Sequence, residues 1–302
     1  MNIYVRQDYK TVAEALQSAQ DGDIIIIPSG IYYEKLTVNK KNIKLIGEGF
    51  VTLTYDAASG NISVAGEKYD TFSSPTVTIT EEASGFVAEN ITFENSYNRI
   101  DPDRKVTQAV AVSCGADAVF NNCNFLGCQD TLYVHGGSKQ YFYDCYIEGS
   151  VDFIFGDATA LFDECDINCI RSKSYITAAS TPENTRAGLV FYNCYIAANP
   201  GCENIYLGRP WRAHTDGVRS HTAFIECTYN FDCAPEGWLP WHVEPGEETD
   251  NIRYEEYGNT NLHGDPVYVE NRAPWSKQLS RDEAEALMGY MGNLVKLGDL
   301  DI

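Results

Sequence analysis

The sequence holds no run of 18 apolar residues, so it offers no segment that would cross a bilayer as a helix. It has no Gly-x-Ser-x-Gly elbow, which disfavours a serine esterase. Its five histidines form no His-Glu-x-x-His or other metal spacing. Its ten cysteines include no Cys-x-x-Cys pair; the close spacings are Cys123-x4-Cys128 and Cys165-x3-Cys169, which do not suit a zinc site. No metal and no cofactor are expected. Positive charge is scarce: 22 Lys and Arg face 43 Asp and Glu, for a net charge of −21. That balance excludes nucleic acid and anionic membranes as partners. The first residues, Met1 to Asp8, lack the basic, apolar, small-residue order of a signal peptide. The expectation is a cytoplasmic protein; the alternative is a secreted one whose leader has been removed.

What the sequence does have is a repeat. Five segments beginning at Phe120, Phe142, Phe162, Phe191 and Phe224 read Phe-x-x-Cys-x-apolar, and Ala88, Ile91 and Phe93 fit the same frame. The cysteines fall at 123, 145, 165, 194 and 227, so the steps are 22, 20, 29 and 33 residues. Repeats of this length mark solenoids, propellers or arrays. Short β-rich runs broken by Gly, Asn and Asp, with no helical period, select an all-β, right-handed parallel β-helix. The five cysteines are then a stacked internal column of reduced thiols.

The ends differ from the middle. Thr11-Val12-Ala13-Glu14 is a capping box that opens a short helix ending near Asp21-Gly22. Ser280-Arg281-Asp282-Glu283 opens a terminal helix. Both helices are expected to cap the open ends of the solenoid. Ile24 to Ile27, Leu36 to Val38 and Ile43 to Ile46 are strand candidates, and residues 234–275 read as long loops. With no linker, residues 1–302 form one domain, expected to be a monomer.

Gln108, Asp130 and Asp152 are each 22 residues apart, close to the repeat length. Stacked coils lie about 4.8 Å apart, so this spacing makes them a vertical column with the two carboxylates ~5 Å apart. Stacked Asp and Asn also serve turns in solenoids. Like charges that close are costly, however, and raise one pKa, which chemistry uses.

Around the column the sequence reads Gln129-Asp130-Thr131-Leu132-Tyr133, then Val151-Asp152-Phe153-Ile154-Phe155-Gly156, then Leu207-Gly208-Arg209-Pro210-Trp211. In combination these strings resemble the pectin methylesterase family, carbohydrate esterase family 8. The likeness runs from Asp8-Tyr9-Lys10-Thr11-Val12 to Tyr254-Glu255-Glu256-Tyr257-Gly258-Asn259. The resemblance implies a β-helix enzyme acting on methyl-esterified homogalacturonan or oligogalacturonates. It implies Asp152 as nucleophile, Asp130 as acid then base, Arg209 as the group holding Asp152 ionised, and Gln108 and Gln129 as oxyanion donors. Tyr133, Phe153 and Trp211 are candidate sugar platforms, with core packing an equal reading for Phe153; Thr177 is a further substrate-binding candidate. Cys128 stands where the family commonly has an aromatic, which touches no proposed catalytic group. The rivals are a polysaccharide hydrolase or lyase on the same architecture, since carboxylates at that spacing also suit a retaining glycosidase, and a non-catalytic carbohydrate-binding β-helix.

Overall fold

A computed structural model describes residues 1–100, 103–212, 215–241 and 252–297. Its named strands pair only in parallel, coil on coil, as a right-handed parallel β-helix requires. One coil shows the plan: Lys139–Tyr143 on a first face, Tyr146–Gly149 on a second and Val151–Gly156 on a third.

The repeat sets the interior. Phe120, Phe142, Phe162, Phe191 and Phe224 lie opposite one another in register. Their rings stack at centroid distances of 4.8, 4.6, 4.5 and 4.5 Å. The residue before each ladder cysteine turns the chain from the first face to the second. Asn122, Asp144, Glu164, Asn193 and Glu226 do this with φ between 49° and 54°, a region that Asn and Asp tolerate better than most residues. The five thiols are free and buried. Each donates to a carbonyl of the preceding coil: Cys145 to Phe120, Cys165 to Phe142 and Cys194 to Phe162, at 3.4, 3.4 and 3.3 Å. Unequal coil lengths are absorbed outside this column, so the ladder keeps its register.

The helices behave differently from each other. Val12–Ser18 starts at Thr11 with the expected reciprocal cap, and Val12, Ala15 and Leu16 join the main core at the first coil. Glu34 accepts from the amides of Val12 and Ala13, at 3.1 and 2.8 Å, which complements the positive helix start. The C-terminal helix, Arg281–Leu297, also opens with its capping box. It does not close the end of the solenoid. Ala284, Leu287 and Met291 pack with Val190, Ala223 and Ile225 on the outer side of the first face. The reason is visible in the strands: their outward positions are apolar there and need cover. The last coil is closed instead by Trp238, Tyr254 and Trp275, at 4.5 and 5.7 Å between centroids. The expected loop region is also partly strand, at Arg253–Tyr257 and Thr260–Asn261; residues 242–251 of it lie outside the described residues. Among the described residues no helix is long and apolar enough to cross a membrane.

Candidate active site

Among the described residues the third face holds seven short strands, including Val112–Cys114, Leu132–Val134, Val151–Gly156, Tyr175–Ala179 and Tyr206–Gly208. Asp130 and Asp152 stand two residues before Leu132 and Ile154, which are partners in register. The Asp130 amide donates to the carbonyl of Val151 at 3.1 Å. Both aspartates have positive φ, 61° and 52°. Such a backbone costs on the order of 1–2 kcal/mol for an L-residue, and strain of this kind gathers at functional positions. Both are nearly buried, at 8% and 5% exposure.

Gln108 does not stack on Asp130. Its backbone bridges to Gln129, and Val112 pairs with Leu132, an offset of 20 rather than 22. The turn takes up the difference, so the column is two Gln side by side and two Asp side by side. Thr107 donates to the Gln108 side-chain oxygen at 3.0 Å. That bond fixes the amide and leaves its NH2 for the cleft.

Arg209 is placed by the strand before it. Its amide donates to the carbonyl of Thr177 at 3.0 Å, and the Thr177 hydroxyl donates to Leu207 at 2.9 Å. A side chain at Gly208 would collide with the Thr177 oxygen at 2.0 Å. The guanidinium lies between the rings of Tyr175 and Trp241, 4.2 and 4.3 Å from their centroids. Held so, its fork donates from Nε to Asp152 Oδ1 at 2.8 Å and from Nη2 to Oδ2 at 2.6 Å. A bidentate pair of this kind is strong and specific in geometry.

The two carboxyls therefore differ. Burial pushes the Asp130 carboxyl well above the ordinary range, and the neighbouring Asp152 charge pushes it further. Burial also raises Asp152, but the hydrogen bonds and charge of Arg209 act against that rise. The arrangement favours a proton on Asp130 beside a charged Asp152.

These groups open onto a cleft of about 230 Å³, also lined by Thr71, Phe72, Phe155, Trp211 and Trp241. Gln108, Gln129, Asp130, Asp152, Arg209 and Trp211 all reach it. Tyr133 stands at its edge, 5.5 Å from Phe72 and 4.6 Å from Phe155 between centroids. Phe153 and Thr177 do not reach it: both are fully buried. Phe153 packs in the core beside Ile154 because the strand is irregular between Val151 and Ile154, which breaks the usual alternation of faces, and Thr177 acts on the segment leading to Arg209. The aromatic of the Val151–Gly156 strand that lines the cleft is Phe155. Its signal was in the spacing, since it sits 22 residues after Tyr133 and pairs with it. Phe72 and Trp241 come from irregular segments, which carry no periodic signal.

The chain is similar to known proteins over most of its length. The family model described as Pectinesterase matches residues 3–295. The chain is 37% identical to Pectinesterase 31 of Arabidopsis thaliana, over 92% of this chain and 86% of the relative. It spans 46% of a longer Arabidopsis thaliana relative, a probable pectinesterase/pectinesterase inhibitor, at 35% identity over 90% of this chain. Among solved structures it superposes on the pectin methylesterase from carrot with a TM-score of 0.81 and 30% identity, over 100% of this chain and 96% of that one. A pectin methylesterase in complex with a hexasaccharide matches with a TM-score of 0.75 and 30% identity, over 92% and 91% of the two chains. With the family matched over almost the whole length and the fold matched by solved structures, the chain belongs to the pectinesterase family.

Proposed function

We propose that the protein hydrolyses methyl esters of galacturonate units in pectin or methylated oligogalacturonates, releasing methanol. The observation that carries this reading is the buried, in-register pair Asp130 and Asp152, of which only Asp152 has an arginine fork. The ionised Asp152 attacks the ester carbonyl. The oxyanion that forms accepts hydrogen bonds from the Gln108 and Gln129 amides, where one donor is worth about 3 kcal/mol. Collapse breaks the bond to the methoxy oxygen, and Asp130 gives it a proton, so methanol leaves. The remaining acyl-enzyme anhydride is attacked by water whose proton passes to Asp130. The bond to Asp152 breaks, free galacturonate departs and sheds its acid proton to solvent, and both aspartates regain their starting states. Trp211, Phe155 and Tyr133 offer apolar surface for sugar rings.

The substrate is further proposed to be short methylated fragments. A net charge of −21 repels the polyanion that de-esterification creates, and a short esterified fragment avoids most of that repulsion. Ten free cysteines fit a monomer working in the reducing cytoplasm. The test is methanol release from methylated oligogalacturonates and from polymeric pectin, with chain ends assayed in parallel. Methanol without new reducing or unsaturated ends, and a higher kcat/KM on oligomers that narrows with salt, supports the reading. Chain cleavage would identify a hydrolase or lyase instead, and absence of turnover a binding protein.

A further inference from the structure

A second crevice lies away from the cleft, between the C-terminal helix and the outer side of the first face, with a volume of about 240 Å³. Its charged lining is Arg186, Arg253 and Lys277 against Glu255 and Glu283, with His221 beside them. Cations thus outnumber carboxylates here, in a chain where acids outnumber bases almost two to one. Both carboxylates are already engaged. Glu255 bonds to His221 Nε2 at 3.2 Å, and Glu283 is held by Lys277 and by the Ser280 amide and hydroxyl. His221 does not add a charge: its Nδ1 accepts from the Gly188 amide at 2.8 Å, and burial keeps the ring neutral by lowering its pKa.

The two arginines are not matched in this way. The Arg253 guanidinium donates only to main-chain carbonyls, those of Arg186, Thr185 and Arg219, at 2.8, 3.0 and 3.4 Å. Its Nε is buried and has no acceptor. Arg186 reaches the Ala286 carbonyl at 3.4 Å and lies over the Tyr290 ring. Among the described residues neither arginine makes an ion pair with a carboxylate. Arg186 is exposed, but Arg253 is half-buried, and the carboxylate that acts on it, Glu255, is also bound by His221, so a further anion would lower the cost of burying that charge. Guanidinium groups match oxyanions in shape and hydrogen bonding.

We infer that this crevice binds a small oxyanion, a carboxylate or a phosphate group, against Arg186, Arg253 and Lys277. Occupancy ties the C-terminal helix to the last coils, so its signature is thermal stability. The test is the melting temperature of the full chain titrated with sodium phosphate or sodium galacturonate, against sodium chloride at matched ionic strength. Arg253→Gln risks the fold, because that side chain clips three carbonyls. The informative variant is Arg186→Gln, whose side chain is exposed, with Trp211→Ala in the cleft as the second. The expected result is a saturable rise with at least one anion, weakened tenfold or more in Arg186→Gln and kept in Trp211→Ala. A rise with phosphate alone, or with galacturonate alone, identifies which source of the oxyanion the site takes. No rise beyond sodium chloride would overturn the inference. So would a rise that Arg186→Gln leaves intact, or one that Trp211→Ala abolishes, which would place the ligand in the cleft.

Discussion

The Phe and Cys ladders and the Asp pair are built by the same device, side chains stacked coil on coil, yet the stacking has opposite consequences. In the interior, like on like is favourable: each ring meets a ring, and each thiol finds a carbonyl one coil below. In the cleft, like on like sets one carboxylate over another, on strained backbone and nearly out of water. Only one of the pair receives a cation. Repetition gives the solenoid its stability, and the same repetition applied to charge produces two carboxyls with different affinities for a proton.

The contrast is sharpest where the two regions are broken in turn. Asp152→Asn should lower methanol release by about a thousandfold or more, by analogy with removal of a covalent nucleophile, while circular dichroism and melting stay near those of the parent. Phe162→Ala should do the reverse. It removes a ring from the middle of the stack and should cost roughly 3–5 kcal/mol in denaturant unfolding, with the folded fraction still active. Cys194→Ser sets a hydroxyl in the apolar column and should cost about 1–3 kcal/mol. In the native protein the five ladder thiols should resist thiol reagents and become titratable on denaturation, because all five are buried out of reach of the reagent. Disulfides among these five in mass spectra would refute the ladder.

The smallest effect concerns the cost of the site itself. The Asp130 pKa is raised on folding. A raised group contributes stability that is fully present below its unfolded pKa and is lost as pH rises through the folded value. Asp130→Asn removes that loss. The variant should therefore unfold at a higher temperature than the parent at pH 8, with the gap closing as pH falls toward 4. A gap that widened on acidification would show Asp130 to be a stabilising carboxylate instead.

Much of this was legible from spacing. The Phe-x-x-Cys frame located the interior, and the 22-residue step from Asp130 to Asp152 matched a true register. The same step failed for Gln108, because a turn outside the strands changed the offset to 20 between Val112 and Leu132. Spacing counts residues along the chain and does not see which of them a turn absorbs. The end-capping role expected of the C-terminal helix failed for a related reason. Its apolar stripe states that it must be covered, and only the outward Val190, Ala223 and Ile225 state where. Phe72 and Trp241, the latter one of the two rings flanking Arg209, come from long-range closure of irregular segments.

The most direct test of the divided pair is a double-mutant cycle on methanol release, with Asp130→Asn, Asp152→Asn and the two combined. If the carboxyls act as one unit, each single change should remove most of the activity, and the double variant should be about as slow as the slower single one. Losses that multiply in the double variant, or full activity in either single variant, would contradict a mechanism in which one aspartate attacks while its neighbour carries the proton.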